Sequence, residues 1–449
     1  MADLFSTLSS TARALDAHRY GLDVVGQNLA NVNTPGYTRR SVVLEEVRPL
    51  DPYSPGGGVD VKTVTASRTP LLDSRLFYER PSAGRESAVA EQLAAVEALL
   101  AQPGASLDAQ LSRFYDAFAE LAGEPTSSVN RQLVVTEGQT LAGGFQRMAQ
   151  GLVRVQRDVD AEARAAIDQI NELARQIAAL NAQIGDAFGQ ADALRDQRTE
   201  AIKELSNLVD VQVIARDDSL VDLTIGNGRA LVTGNLHYAL TTTSTPPLGA
   251  AAVVSHGADV TAEITGGGLG GLLLTRDVLV PGYAQRLDDL AYRVVTDVNT
   301  LHQAGYDLLG AAGGAFFEPS AAAGAAAAMA VTAAVAADPR LVAAASSTAA
   351  GDNRTARAIA ALREANPSAI DDWGALVFRV GAERQAALRE VSSRSDVVNQ
   401  IESMRAQISG VSLDEEAAML MRFQRAYEAN ARFFSVIDEL LDVLMARVV

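Results

Sequence analysis

Three glycines, Gly266, Gly268 and Gly271, stand at the GxGxxG spacing that lets a backbone approach a pyrophosphate, and they follow a stretch, Val260 to Thr265, that reads as a strand. Dinucleotide chemistry needs that strand to open a βαβ unit with a helix N-terminus facing the phosphates. Here the preceding stretch reads as antiparallel meander and Leu272 to Leu274 as an apolar run, so the context favours a glycine-rich exit from a domain. Ser255, His256 and Asp259 have the residue types of a hydrolytic triad, yet a triad converges from separate segments around an exposed nucleophile, and these three read as one polar turn. His18, His237, His256 and His302 are too scattered for a zinc spacing. The paired acids Asp217-Asp218, Asp288-Asp289 and Asp371-Asp372 point apart on any helix. No catalytic, cofactor-binding or metal-ligating residue is expected, and the chain reads as a non-enzyme.

Composition narrows the chemistry further. Cysteine is absent, which removes disulfides, thiolate nucleophiles and thiolate metal sites. Lys62 and Lys203 are the two lysines and neither follows a glycine, so a P-loop cannot be assembled. A formal net charge of -17 repels phosphate backbones and anionic lipid, so no nucleic acid and no membrane partner is expected. No run approaches the roughly 18 apolar residues of a spanning helix. Asp3, Arg13, Asp16, His18 and Arg19 interrupt any apolar core of a cleavable signal. At 449 residues and 48% hydrophobic, the chain has material for more than one core.

The elements that fill this length announce themselves by period. Leu8, Leu15, Leu22 and Leu29 recur every seven residues, offset by Leu4, Thr11, His18, Val25 and Val32; near the other end Leu413, Leu420, Tyr427, Phe434 and Leu441 do the same, offset by Phe423, Asn430, Ile437 and Leu444. At about 1.5 Å per residue these make rods of roughly 43 and 54 Å, fit to lie side by side. Such helices are marginal alone, so the ends are expected to order only when packed. Ser412 and Glu415 read as a capping box opening the last helix. The first helix stops at Asn33-Thr34-Pro35-Gly36-Tyr37, a type II turn, and a hairpin-like piece with its loop at Pro49 to Gly58 folds back on the rods.

Between them the helical stride resumes from Glu86, through Leu107 to Leu121, and forms one long rod from Phe145 to Ile184. From residue 208 to 275 the period switches to two, with a two-residue turn at Asn227-Gly228, another at Gly234-Asn235 and a strand from Leu236 to Thr243. Helix returns from Tyr283, pauses between Gly310 and Ser347, and runs to the end. The fold class is mainly α with a β insertion: paired terminal coiled-coil helices (1–45 and 405–449), a long-helix body (46–207 and 276–404) and a small antiparallel β domain (208–275).

Gly26 to Arg39, with its Asn28-Leu29-Ala30-Asn31 and Asn33-Thr34-Pro35-Gly36-Tyr37 core, resembles the N-terminal motif of the rod, hook and hook-associated subunits of the bacterial flagellum, and Phe423 to Asn430 resembles their closing helix. Ser409 to Glu416, Ile170 to Asn181, Leu194 to Arg198 and His302 to Asp307 are similar to the hook-associated branch that joins hook to filament. Asn31 to Tyr37 reads closer to rod subunits. The resemblance implies export through the flagellar type III apparatus, an export chaperone acting near the C-terminus, and residence at the extracellular hook-filament junction. The implied partners are further copies of the chain in a helical ring, hook subunits and the second, filament-side junction protein. Leu4, Leu8, Leu15, Leu22, Val25, Leu29, Leu413, Leu420, Phe423, Tyr427, Phe434, Ile437, Leu441 and Leu444 then form the assembly seam, and Asn28, Asn31, Asn33, Pro35, Gly36 and Tyr37 the loop that meets adjacent subunits. A distal rod or hook subunit, a secreted coiled-coil adhesin and an enzyme using the glycine loop remain as alternatives.

Overall fold

The computed structural model describes the chain except residues 1, 49–56, 102–105, 188–190, 217–219, 246–249, 319–320, 350, 366 and 449. The loop expected at Pro49 to Gly58 and the Asp217-Asp218 pair lie largely or wholly outside the described residues. Helix α1 (Ala2–Ala30) ends where expected. Tyr37 N donates to Thr34 O at 3.2 Å across a turn whose Gly36 holds φ 78, the left-handed value that a type II turn demands of its third residue. Strands β1 (Arg40–Glu46) and β2 (Val59–Ala66) pair antiparallel with a bulge between Val43 and Leu44. The hairpin lies along α1, close enough that a Cβ on Gly58 would sit 2.9 Å from Ser10 O. It therefore groups with the terminal helix, and a boundary at residue 45 cuts through β1.

Helix α2 (Pro70–Leu100) starts sixteen residues before the expected Glu86. Pro81 sits inside it and withholds one amide, which interrupts the helical reading of the sequence but not the helix, since α2 is held along its length by a long antiparallel partner. After α3 (Leu107–Gly123) comes α4 (Ser128–Asp186), 59 residues or about 90 Å long. Its first half closes a core with α3 around Leu141, Phe145 and Leu152, and its second half closes another with the β insertion around Val159, Ile167, Ile170 and Ile177. One helix thus ties two cores into a single body.

Helix α5 (Asp192–Leu208) leads into two sheets: β3 (Val211–Ala215), β4 (Val221–Ile225), β5 (Arg229–Thr233) and β6 (Leu236–His237) form a meander, and β7 (Thr241–Thr245), β8 (Ala250–Ser255) and β9 (Ala258–Asp259) form a second. Amides on α4 hold the strands down: Asn171 exchanges two 2.8 Å bonds with Leu240 N and O, and Asn181 donates to Val221 O and Gly234 O. The anchored Leu240 is why the expected Leu236 to Thr243 strand breaks into β6 and β7 on different sheets. The β4–β5 loop has three residues, with Gly226 at φ 52 and Gly228 at φ 90, rather than a two-residue Asn-Gly turn. The Gly234-Asn235 turn has two, as its Thr233–Leu236 pairing requires.

Val260 to Thr265 is no strand; Thr261–Glu263 form a 3-10 turn. Helix α6 (Gly267–Leu274) then widens into a π turn, Thr275–Leu279, before α7 (Val280–Gln303). Pro281 supplies the reason, for it lacks the amide that would close an α turn there. Among its described residues the Gly- and Ala-rich stretch that follows, continued to residue 360, carries short helices, α8 (Ala325–Ala328), α9 (Ala333–Ala337) and α10 (Arg354–Ala360). Its Phe316 and Phe317 join Phe114 and Phe118 of α3 in an aromatic cluster with centroids 4.8 to 5.9 Å apart. Asn299 fixes that stretch by accepting from Phe316 N and Phe317 N and donating to Phe317 O, all at 2.9 Å.

Helix α11 (Ala369–Ser409) opens on a true capping box of Ser368 and Asp371 and runs antiparallel to α2, with Arg384 on Glu97 at 2.7 Å near one end and Arg405 on Asp73 at 2.9 Å near the other. Helix α12 (Leu413–Val448) returns along α1.

Candidate assembly site at the terminal helices

Contacts between α1 and α12 define an antiparallel pair: Asn28 Nδ2 donates to Glu416 Oε2 at 2.9 Å at one level, and the Phe423 ring fills the space beside Gly21 at the next. A Cβ on Gly21 would lie 2.6 Å from that ring, so this position admits the phenyl group because it is glycine. His18 stacks obliquely on the same ring at 6.2 Å, its Nδ1 is buried without a partner, and burial holds its pKa below the ordinary value.

On α12 the predicted stride is the one that packs: Phe423, Ile437 and Leu441 are buried, and Leu420 and Phe434 half-buried. Leu413, at 56% exposure, Tyr427 and Leu444 are exposed and leave the seam. The antiparallel register explains the outer two, because Leu413 lies beyond the end of α1 at Ala30 and Leu444 beyond its start. On α1 the centre of the packing is displaced from the predicted leucines. Thr11, Ala17, Gly21, Val24, Val25 and Asn28 are buried, whereas Leu4, Leu8, Leu15, Leu22 and Leu29 are half-buried along the flank. Small side chains bring the two backbones close enough for Phe423 to insert, a geometry that a count of large apolar residues does not register. A second apolar row on α12, Met421, Phe433, Val436, Leu440 and Val443, faces away from α1, with Phe433 51% exposed.

The loop residues separate into two groups. Asn28 is 1% exposed and cannot meet another subunit: its Nδ2 donates to Arg40 O and Glu416, and its Oδ1 accepts from the Tyr37 hydroxyl at 2.8 Å and Arg40 N at 3.1 Å. Tyr37 is turned inward on that amide, and burial raises its pKa, with Asp196 and Glu416 adding to the rise and Arg40 opposing it. Gly36 backs onto Glu200, where a Cβ would clash at 2.3 Å. Asn31 is half-buried, while Asn33, Thr34 and Pro35 are exposed. Beside them a 550 Å³ cleft opens between the loop and α5, lined by Thr34, Pro35, Tyr37, Asp196 and Glu200 among others.

Two carboxylates that the sequence reading did not single out organise this corner. Glu416, 1% exposed, takes Asn28 and also the Arg39 guanidinium at 2.7 Å, and Glu415 takes the other arm of Arg39 at 2.7 Å. Glu415 is thus directed at Arg39 in place of the expected capping box with Ser412, whose carbonyl accepts the Glu416 amide. Asp196 on α5 accepts from Thr38 N and Oγ1 and from Arg68, joining the terminal pair to the body, and burial raises its pKa against the pull of those partners. Glu416 stands seven residues before Phe423, so it occupies a seam position of the heptad, and an acid at such a position is the signal that could have found it.

The residues that suggested enzymatic chemistry have structural work. Gly267 and Gly271 let α6 press on backbone, where Cβ atoms would meet Val209 N at 2.3 Å and Arg85 O at 2.4 Å. The Asp210 side chain stands at the start of α6, where a Cβ on Gly266 would lie 2.9 Å from its Cβ, so an acidic side chain occupies the approach a phosphate needs. Ser255 Oγ lies 3.0 Å from His256 Nδ1, but Asp259 is spent on Thr261. Asp288 holds the amides of Gly324 and Ala326, Asp371 caps α11, and Asp372 pairs with Arg293. Among the described residues no group of three or more acidic, His or Cys side chains is placed to hold a metal, and no helix is long and apolar enough to cross a membrane.

Residues 93–317, half of the chain, match the family model of the flagellar hook-associated protein FlgK helical domain. The chain belongs to that family. The terminal helices of this FlgK-family chain match two further families at residues 8–38, flagella basal body rod protein, and 397–447, flagellar basal body rod FlgEFG protein C-terminal. Flagellar hook-associated protein 1 of Bacillus subtilis is 29% identical over 98% of both chains. That of Escherichia coli is 27% identical over 69% of this chain, which spans 59% of its length. The solved flagellar hook junction protein FlgK from Burkholderia pseudomallei superposes with a TM-score of 0.51 at 27% identity, over 55% of this chain and 46% of its own.

Proposed function

We propose that this chain is a structural subunit of the junction between flagellar hook and filament, that it assembles through the α1–α12 pair, and that it catalyses no reaction. The observation that carries the reading is an enclosed body joined to a terminal pair whose second apolar row, Phe433, Val436, Leu440 and Val443, has no cover among the described residues. In this reading hydrophobic burial against hook subunits, further copies of the chain and the filament-side junction protein completes the pair, each covered side chain contributing about 1.5 to 3 kcal/mol. The chain divides into the terminal pair with its hairpin, the helical body and the β insertion. It leaves the cell through the flagellar type III apparatus, with an export chaperone masking the C-terminal helix, and lodges outside the cell at the distal end of the hook.

The test is a strain without the protein. It should carry hooks of normal length without filaments, and purified wild-type chain should bind those hooks where a Phe433→Asp, Leu440→Asp chain does not. Filaments on the deletion strain, or equal docking by both chains, would refute the junction role. A distal rod or hook subunit is the second reading, favoured by the rod-family matches of both termini; it predicts that the deletion stops hook growth itself.

A further inference from the structure

A heptad seam permits slippage: moving α12 by seven residues along α1, about 10 Å, returns apolar side chains to apolar places. Leu420, Phe434, Ile437 and Leu441 do not forbid it, although Phe423 would give up its place beside Gly21 to Asn430, and the displaced row of Phe433, Val436 and Leu440 would then face outward at a different height. The polar node at the base of the pair does forbid it. Asn28 uses both faces of its amide inside the chain, and Arg39, 23% exposed at its side chain, divides its guanidinium between Glu415 and Glu416. Ser409 O fixes the node from the far side by accepting Arg39 N at 2.9 Å. A slip of one heptad replaces Glu416 with Phe423, leaving the Asn28 amide short of an acceptor and the guanidinium against an aromatic ring in a buried corner.

We propose that Glu416 is a positioning residue that sets the axial register of α12 on α1, and through it the height at which the outer apolar row of α12 is presented. The role deepens the assembly reading of the terminal pair, but it is a property of one chain in solution and stands or falls without reference to docking. Asn28 and Arg39 supply the donors that read the carboxylate, and Tyr37 holds the Asn28 amide in the orientation that points Nδ2 at it.

The absence of native cysteine makes register directly readable by disulfide trapping of the full chain. Gly21→Cys with Phe423→Cys reports the observed register, and Gly21→Cys with Asn430→Cys in a Phe423→Ala chain, which removes the ring that a Cβ at position 21 would strike at 2.6 Å, reports a slip of one heptad, since a disulfide needs Cβ atoms about 4 Å apart. With Glu416 present the first pair should cross-link in excess of the second by about tenfold or more. Glu416→Leu should raise the slipped pair to a yield comparable with the first, while Glu416→Gln, which keeps an acceptor for Asn28, should restore the preference. Glu416→Leu leaving the preference intact would overturn the proposal. Loss of both cross-links in that variant would also overturn it, by assigning Glu416 to stability and not to register.

Discussion

The aromatic heart of the body and the seam of the terminal pair are both built on phenylalanine, and they differ in what surrounds it. Phe114, Phe118, Phe316 and Phe317 are fully enclosed by α3, α4, α7 and the stretch after α7. Phe423 is enclosed on one side by Gly21 and His18, and the helix that carries it turns an equally apolar row to solvent. Enclosure leaves the body little apolar surface to bury; the half-covered helix pair keeps an apolar row that a neighbour could cover. That difference orders the expected effects of breaking each region.

Phe316→Ala should be the largest, removing about 3 to 5 kcal/mol from body stability in denaturant unfolding, because the stretch around it is held in place by Asn299 and cannot collapse into the void. Phe423→Ala should cost less, about 3 kcal/mol at the low end of that range, and in a different place: helical signal from the terminal pair falls while the cooperative transition of the body keeps its midpoint. Equal loss in both transitions would erase the distinction between the regions.

Acid should separate them by a smaller margin. His302 is buried in the body, with Nδ1 2.7 Å from Gly314 O and Nε2 accepting from Ala343 N at 2.9 Å, an arrangement that needs the neutral ring. Burial holds its pKa below the ordinary 6.5, so the unfolded chain binds a proton first. The stabilisation is complete above pH 6.5 and declines as pH falls below it; His302→Gln should flatten that decline in body unfolding measured across this range. A decline unchanged by the substitution would place the titrating group elsewhere. The smallest effect is expected from Phe433→Ser, on the open row, which should shift monomer stability by no more than about 0.5 kcal/mol while weakening assembly.

Period makes most of this legible. The α12 stride from Leu420 to Leu441, the course of α4 from Phe145 to Ile184 and the change to alternation at Val211 all follow from where apolar residues recur, whereas the first seventeen residues of α4, from Ser128, do not. What escapes is carried by residues that period ignores. The packed line of α1 runs through Ala17, Gly21 and Asn28, small or polar positions beside the leucines. Glu416 and Arg39 meet across 377 positions, and no local pattern announces such a pair. Asn171 breaks an apparent strand by claiming Leu240, and Pro81 hides the first half of α2. Asn28 stands out by its motif and yet faces inward rather than toward another subunit, because sequence shows that an amide is present and not which way it points.

Hydrogen exchange on the same full-length chain, free and then docked on isolated hooks, separates an enclosed body from an uncovered terminal pair. Exchange should be slow in α3, α4 and α7 in both states, while α1 and α12 exchange faster than the body in the free chain and slow markedly on docking. Terminal helices already as protected as the body in the free chain, with no change on docking, would contradict that separation.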